Sequence, residues 1–388
     1  MVLFQSVIKK TLENGYEGAL VDQQAPQPPY FLRAEDQFAR DGDREIFIKK
    51  IHSESKSLPR RGAVILAPGL ATNANLFRMD DRGQTLYLNH NRSFANFLAS
   101  EGFTVYLYHP GFTERVHNRY VSSHCPDSIH YKKTYITPPD LDFSGLVDRE
   151  VPMVVEHACA DSDTDRVTWV GFSLGGMLMY AHLANREDRR VANVVTIGSP
   201  VNLNNLFIRI IPYTNLANRA LGMEERSLLN TAAAGVAPVT RLIRKLPGPI
   251  LRYNPFLMFL WNPFNIHART VKTVLGQIVE PIPPKLHASL KAMIGEGVAS
   301  RMYSPDLIKR MRAANRDHAK FLFFFGQYDM VAQPDSVLLA HEIITPKNPE
   351  NLKSVPATGH LDLMVGQNAM QKVWRPTCRW LREQEESR

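Results

Sequence analysis

Apolar residues in this chain fall into short runs separated by stretches of helical spacing. Residues 45–51 (EIFIKKI) alternate apolar and polar, the period of a half-buried strand. The runs at 62–68 (GAVILAP), 104–110 (TVYLYHP), 167–172 (VTWVGF), 191–200 (VANVVTIGSP) and 320–326 (KFLFFFG) are nearly continuous and rich in β-branched and aromatic side chains. Strands buried on both faces read this way. A weaker strand is predicted at 351–360 (NLKSVPATGH). Between the runs, 92–102 (RSFANFLASEG) sets Phe94, Phe97 and Leu98 on one helical face, with Gly102 placed to end the helix. A second helix, 174–184 (LGGMLMYAHLA), follows a strand directly, and 368–384 (NAMQKVWRPTCRWLREQ) predicts a last helix interrupted or kinked at Pro376. Strands alternating with helices at this spacing predict an α/β fold, a mostly parallel sheet covered on both sides.

Two stretches break the alternation. Residues 22–30 (DQQAPQPPY) cannot continue a helix or a central strand, because proline fixes φ and removes a donor. They mark off an N-terminal arm, 1–30. Between Pro200 and Ala319 no strand is predicted, while helix-like segments and prolines recur. An insertion of this size predicts a helical cap over 201–319, dividing a core of 31–200 and 320–388. Within it, 242–264 (LIRKLPGPILRYNPFLMFLWNPF) is dense in large apolar groups beside basic ones. Such material packs a cap onto a core and lines an acyl pocket, and it also allows weak contact with a membrane surface.

Composition narrows the class without naming a chemistry. The chain has 388 residues, 44% of them hydrophobic and 22% charged, enough for a packed core without staples. The formal net charge is +8, but Lys and Arg are scattered among 38 acidic residues. No basic segment interleaved with aromatics is present, so no nucleic-acid partner is expected. Cys125, Cys159 and Cys378 form no CxxC pair, which argues against a disulfide framework or a thiolate metal site and for a reducing compartment. The N-terminal residues carry too short an apolar region for a secretory signal, and no uncharged run approaches the roughly 18 residues that span a bilayer. A soluble, cytoplasmic protein is expected. His117, His124, Cys125 and His130 cluster in a polar segment but match no zinc spacing, and Arg82, Arg92, Arg115 and Arg119 read as solvated surface.

The chemistry lies at strand ends. Strand, then Gly171-Phe172-Ser173-Leu174-Gly175, then helix is the context a nucleophile elbow requires. Small residues at 171 and 175 let the chain turn sharply, lift the Ser173 hydroxyl clear of the sheet and aim it at free helix N–H groups. A serine hydroxyl is a weak nucleophile without a base, and the base needs an orienting acid. Asp329 stands just past the strand KFLFFFG, and His360 follows the next strand. The order Ser173, Asp329, His360 has gaps of 156 and 31 residues and is the chain order this kind of site uses. Asp335 is a rival acid, farther from the strand end, and Asp362 is a rival hydrogen-bond partner for His360. The developing oxyanion needs two backbone donors. These are expected at Leu174, after the serine, and at Leu70, in the loop 67–73 where Gly69 allows the turn.

With these residues in place the chain resembles the α/β-hydrolase superfamily, and within it the branch of the acid lipases and polyhydroxyalkanoate synthases. The resemblance rests on 67–80 (APGLATNANLFRMD), 94–111 (FANFLASEGFTVYLYHPG), 140–157 (DLDFSGLVDREVPMVVEH), 167–176 (VTWVGFSLGG), 323–334 (FFFGQYDMVAQP) and 359–366 (GHLDLMVG). It covers about 45–200 and 318–384 and leaves the cap unmatched. It implies Ser173, Asp329 and His360 as catalytic triad, Leu70 and Leu174 as oxyanion donors, and neither metal nor organic cofactor. Phe172 departs from the histidine that many lipases of the branch carry there, and Ser173 from the cysteine of the polyester synthases. Hydrolysis of carboxylic esters with hydrophobic or lipid-like acyl groups is therefore expected, through an acyl-enzyme. An acyltransferase or thioesterase on the same triad is the alternative, and a non-catalytic ligand-binding protein a further one.

Overall fold

The computed structural model describes residues 31–42, 44–84, 92–113, 141–202, 246–254, 257–280, 282–296 and 319–387. The expected N-terminal arm, the His117–His130 cluster, Arg115 and Arg119 lie outside the described residues. Eight strands form one sheet: β1 (Leu32–Asp41), β2 (Arg44–Ser53), β3 (Ala63–Ala67), β4 (Thr104–Tyr108), β5 (Val167–Phe172), β6 (Val191–Ile197), β7 (Lys320–Gly326) and β8 (Leu352–Val355). Their order is β1-β2-β4-β3-β5-β6-β7-β8, antiparallel across β1/β2 and β2/β4 and parallel from β4 onward. The α/β expectation therefore holds, with an antiparallel hairpin added at one edge. β1 was not expected from the sequence. Its residues LRAEDQFARD are mostly half-exposed, as suits an edge strand with one partner, so the apolar pattern is too thin to read.

The central strands are covered on both faces, which explains their continuous apolar runs. On one face Ile65, Tyr106, Trp169 and Phe323 pack with α2 (Val151–Ser162) and α3 (Leu174–Asn185). On the other, Val64, Leu107, Val170 and Phe324 pack with α1 (Phe94–Ser100) and with Val271 and Val274. Neighbours in sequence thus serve opposite layers, as the period of a strand demands. Helix α1 begins at Ser93, whose hydroxyl accepts the Asn96 N–H at 3.3 Å, and the chain turns beyond it at Gly102, φ +96°.

Of the insertion predicted at 201–319, residues 246–254, 257–280 and 282–296 are described. They contribute no strand to the sheet. They form a short turn Gly248–Arg252, the helix α4 (Ala268–Thr273) running into a π-helical turn Val274–Ile278, and α5 (Pro284–Glu296). Trp261 is buried, and its indole N–H donates to the Arg252 carbonyl at 3.0 Å, while Ile250 and Tyr253 stay exposed. After β7 come α6 (Pro334–Ile344) and, past β8, the last helix α7 (Arg375–Glu386). The interruption expected near Pro376 is a π-helical turn, Met370–Trp374, immediately before α7. The wider turn accommodates a ring that can neither donate nor tolerate the carbonyl four residues back. Among the described residues no helix is long and apolar enough to cross a membrane.

Candidate active site

Strand β5 ends at Phe172 and α3 starts at Leu174, leaving Ser173 alone at the corner. Its backbone sits at φ +52°, ψ −115°, a region that side chains avoid and that costs on the order of 1–3 kcal/mol. Surrounding bonds hold it there: Ser173 N–H donates to Ile197 O at 2.9 Å, and the Trp169 indole donates to Gly175 O at 2.9 Å. The turn needs the two glycines. A Cβ on Gly171 would lie 2.4 Å from the Gly175 carbonyl carbon, and one on Gly175 would lie 2.2 Å from the Ala67 oxygen. The Ser173 side chain caps no helix N–H and is only slightly exposed.

Asp329 follows β7 in a tight turn and is buried. One carboxylate oxygen, Oδ1, accepts the N–H groups of Val331 at 2.9 Å and Ala332 at 2.7 Å. The other, Oδ2, accepts Nδ1–H of His360 at 2.7 Å. The rival acid Asp335 is exposed, in the first turn of α6. The other rival, Asp362, bonds elsewhere: it accepts from Gly359 N–H at 3.0 Å and Asn265 Nδ2 at 2.9 Å rather than from His360.

The imidazole of His360 lies against the ring of Phe172, centroids 4.8 Å apart, beside the elbow serine. The structure thus joins Asp329 to His360 by a hydrogen bond and brings the imidazole to the elbow through Phe172. Among the hydrogen bonds of the described residues, none joins the Ser173 hydroxyl to the His360 imidazole, whose bonded partner is Asp329. Such bonds are commonly long before substrate arrives.

The loop after β3 closes on the serine from the other side: a Cβ on Gly69 would lie 3.1 Å from both Ser173 Cβ and Phe172 Cδ1. The Gly69 carbonyl accepts from Thr72, through N–H at 3.3 Å and Oγ1 at 2.9 Å. The N–H groups of Leu70 and Leu174 donate to no backbone carbonyl among the described residues, so both stand available in the turns flanking Ser173. The loop is pinned by the insertion. Asn73 N–H donates to Ile278 O at 3.0 Å, Glu280 N–H to Ala71 O at 2.8 Å, and Asn73 Nδ2 to Glu280 Oε1 at 2.7 Å.

Three further contributors take roles that the sequence reading did not assign them. Gly198, at φ +55°, passes behind the pair; a Cβ there would lie 3.2 Å from Asp329 Oδ2 and 3.3 Å from His360 Nδ1. Its signal was present in the Gly-Ser-Pro that closes β6, at the same sheet end as the other site loops. Phe172 and Asp362 were noted in the sequence, but the ring's packing on the imidazole and the bonds of Asp362 to Asn262 and Asn265 left no signal there. Arg82 and Arg92 are exposed, as expected. Among the described residues no group of three or more His, Cys, Asp or Glu is placed to hold a metal ion.

A buried acid holding an imidazole, a strained serine next in sequence to the ring that imidazole packs on, and two N–H groups without a backbone acceptor among the described residues compose a site suited to acyl transfer. A family model described as alpha/beta hydrolase fold matches residues 62–367. Among solved structures, a carboxylesterase from the ammonia-oxidizing thaumarchaeon Nitrososphaera gargenis superposes with TM-score 0.55 at 11% identity, over 90% of this chain and 100% of that one. A thermophilic esterase from Thermogutta terrifontis superposes with TM-score 0.52 at 14% identity, over 90% and 98%. An esterase from Exiguobacterium antarcticum gives TM-score 0.50 at 13% identity, over 90% and 100%. At these identities the likeness carries the fold alone. No curated protein matches the sequence.

Proposed function

The chain belongs to the alpha/beta hydrolase fold family, and from that premise we propose that it is a serine hydrolase cleaving carboxylic esters through an acyl-enzyme. The observation that carries this reading is the Asp329–His360 hydrogen bond of 2.7 Å beside a serine at φ +52°. In this reading Ser173 Oγ attacks the ester carbonyl carbon while His360 Nε2 takes its proton. Asp329 fixes the tautomer, with Nδ1–H toward the carboxylate, and stabilises the imidazolium that forms. The tetrahedral oxyanion accepts from the N–H groups of Leu70 and Leu174. Collapse expels the alcohol, which takes the proton from His360. Water then repeats the sequence on the acyl-serine, loses its proton to His360, and frees the carboxylic acid.

Hydrophobic or lipid-like acyl groups are the proposed substrates, with the insertion at 201–319 acting as the cap. Support comes from the apolar density of 242–264 and from the Phe172 ring beside the serine. Kinship with the acid-lipase branch is part of the same proposal. The test is hydrolysis of p-nitrophenyl esters from acetyl to palmitoyl, with Ser173→Ala as control. Turnover that vanishes in the variant, with an optimum beyond acetyl, is the expected result. Turnover undiminished in the variant contradicts the assignment of the nucleophile, and a preference for acetyl contradicts the apolar pocket.

A further inference from the structure

We propose that Asp362 is a positioning residue for His360: its carboxylate, gripped by donors from the histidine loop and from the insertion, fixes the backbone that aims the imidazole. The proposal rests on the serine-hydrolase reading. Asp362 is fully buried, and no Lys, Arg or His pairs with it among the described residues. Its partners are N–H donors. Oδ2 accepts Gly359 N–H at 3.0 Å and Asn265 Nδ2 at 2.9 Å, and Oδ1 accepts Asn262 N–H at 3.3 Å. Gly359 immediately precedes His360, so the first of these bonds fixes the Thr358–Gly359 peptide, one unit before the peptide that carries the imidazole. The approach of the insertion is close: a Cβ on Gly359 would lie 2.9 Å from Asn262 N and from Asp362 Oδ1.

The remaining anchors of the loop belong to the same knot. Asn262 Nδ2 donates to Ala357 O at 2.6 Å, Leu361 N–H to Leu260 O at 2.7 Å, and Gln367 N–H to Asn265 O at 2.8 Å. Asn265 Nδ2 also reaches Thr358 Oγ1 at 3.3 Å and Asn368 Oδ1 at 3.0 Å. The groups facing Asp362 are thus Asn262 and Asn265 from the insertion, Thr358 and Gly359 from its own loop, and Asn368 beyond it. The titratable groups adjoining the knot are His360 and, behind it, Asp329.

A carboxylate accepts from all its N–H donors at full strength only as an anion. Protonation places an O–H on one oxygen, and a donor that bonded that oxygen loses its acceptor. Burial pushes the Asp362 carboxyl up to about 6, against the pull of the donors. The loop therefore loosens as pH falls through that value, and the loss adds to whatever protonation does elsewhere in the site.

The experiment measures p-nitrophenyl butyrate hydrolysis by the full chain between pH 4.5 and 8.5, for wild type, D362N and N265A, alongside fluorophosphonate labelling and thermal melts. D362N sets an amide N–H₂ against donors, and N265A removes one donor while leaving the acid. In each folded variant kcat falls, by roughly 10-fold or more for D362N, with KM changed little. The acid limb of kcat/KM in wild type is steeper than one proton, and in D362N it loses one proton of steepness. Wild-type kcat in either folded variant, or a wild-type acid limb that follows a single proton, overturns the proposal. The kcat of N265A decides the matter even if D362N does not fold. A wild type that labels and turns over while the variants match it contradicts only the positioning role. A folded wild type that neither labels nor turns over contradicts the hydrolase reading, and this proposal with it.

Discussion

The two arms of the site are built in opposite ways. The serine arm is local: β5, the corner at Ser173 and α3 are contiguous, and Trp169 closes the turn on Gly175 six residues away. The histidine arm is assembled from distance. His360 is oriented by Asp329, 31 residues earlier, and its loop is tied to Asn262 and Asn265, about a hundred residues earlier, in the insertion. The loop after β3, which carries Leu70, is of the second kind too, pinned through Asn73 to Gln277 and Glu280. The local turn is set mainly by residues in a row, with the Ile197 carbonyl of the neighbouring strand holding the Ser173 N–H. A loop held from outside depends on the insertion for its position.

The sharpest contrast comes from the residues proposed to react. Ser173→Ala is expected to lower kcat by on the order of 10⁶, and His360→Ala by a similar factor, since members of such a site act as a unit. Asp329→Asn leaves the fold intact but allows the wrong tautomer, for a loss of about 10⁴. Steady-state kinetics on one p-nitrophenyl ester checks all three, and additive rather than shared losses in the double variants contradict the unit. Next comes Gly198→Ala, which forces a side chain to φ +55° and within 3.3 Å of the acid–base pair. It is expected to cost roughly 1–2 kcal/mol of stability, read by denaturant titration, and to lower kcat. Wild-type values for both deny that the end of β6 constrains the pair.

The smallest effect concerns stability and isolates the distant arm. The Asp362 carboxyl has a folded pKa of about 6, above its ordinary value of 3.8, so the folded state keeps a proton the unfolded chain has released. The stabilisation from this group is complete below 3.8 and is lost as pH rises through about 6. The Tm difference, wild type minus D362N, should therefore shrink as pH rises from 4 to 7. A difference independent of pH contradicts the burial of an ionisable acid there. The ionised form proposed to aim His360 is thus also the form that folding disfavours, a trade of stability for function.

The same division explains what could be read from the sequence. The elbow, the order of the three residues and the continuous apolar strands rest on short-range pattern, and the chain announces them. Pro376 announced an interruption, and a π-helical turn precedes it. β1 escaped because an edge strand with many charges lacks an apolar face. In the sequence Asp362 reads as a rival hydrogen-bond partner of His360, and its actual role could not be read, because its partners Asn262 and Asn265 lie about a hundred residues away in the insertion. Contacts across a hundred residues leave no periodicity behind.

Ser173 is the proposed nucleophile, and mass spectrometry of the folded protein after treatment with a fluorophosphonate tests it. Trypsin releases residues 167–186, in which Ser173 is the only serine. An adduct confined to that peptide at Ser173, absent from Ser173→Ala and strongly slowed in His360→Ala, is the predicted result. A folded protein with no adduct, or one carrying it on another residue, contradicts the account.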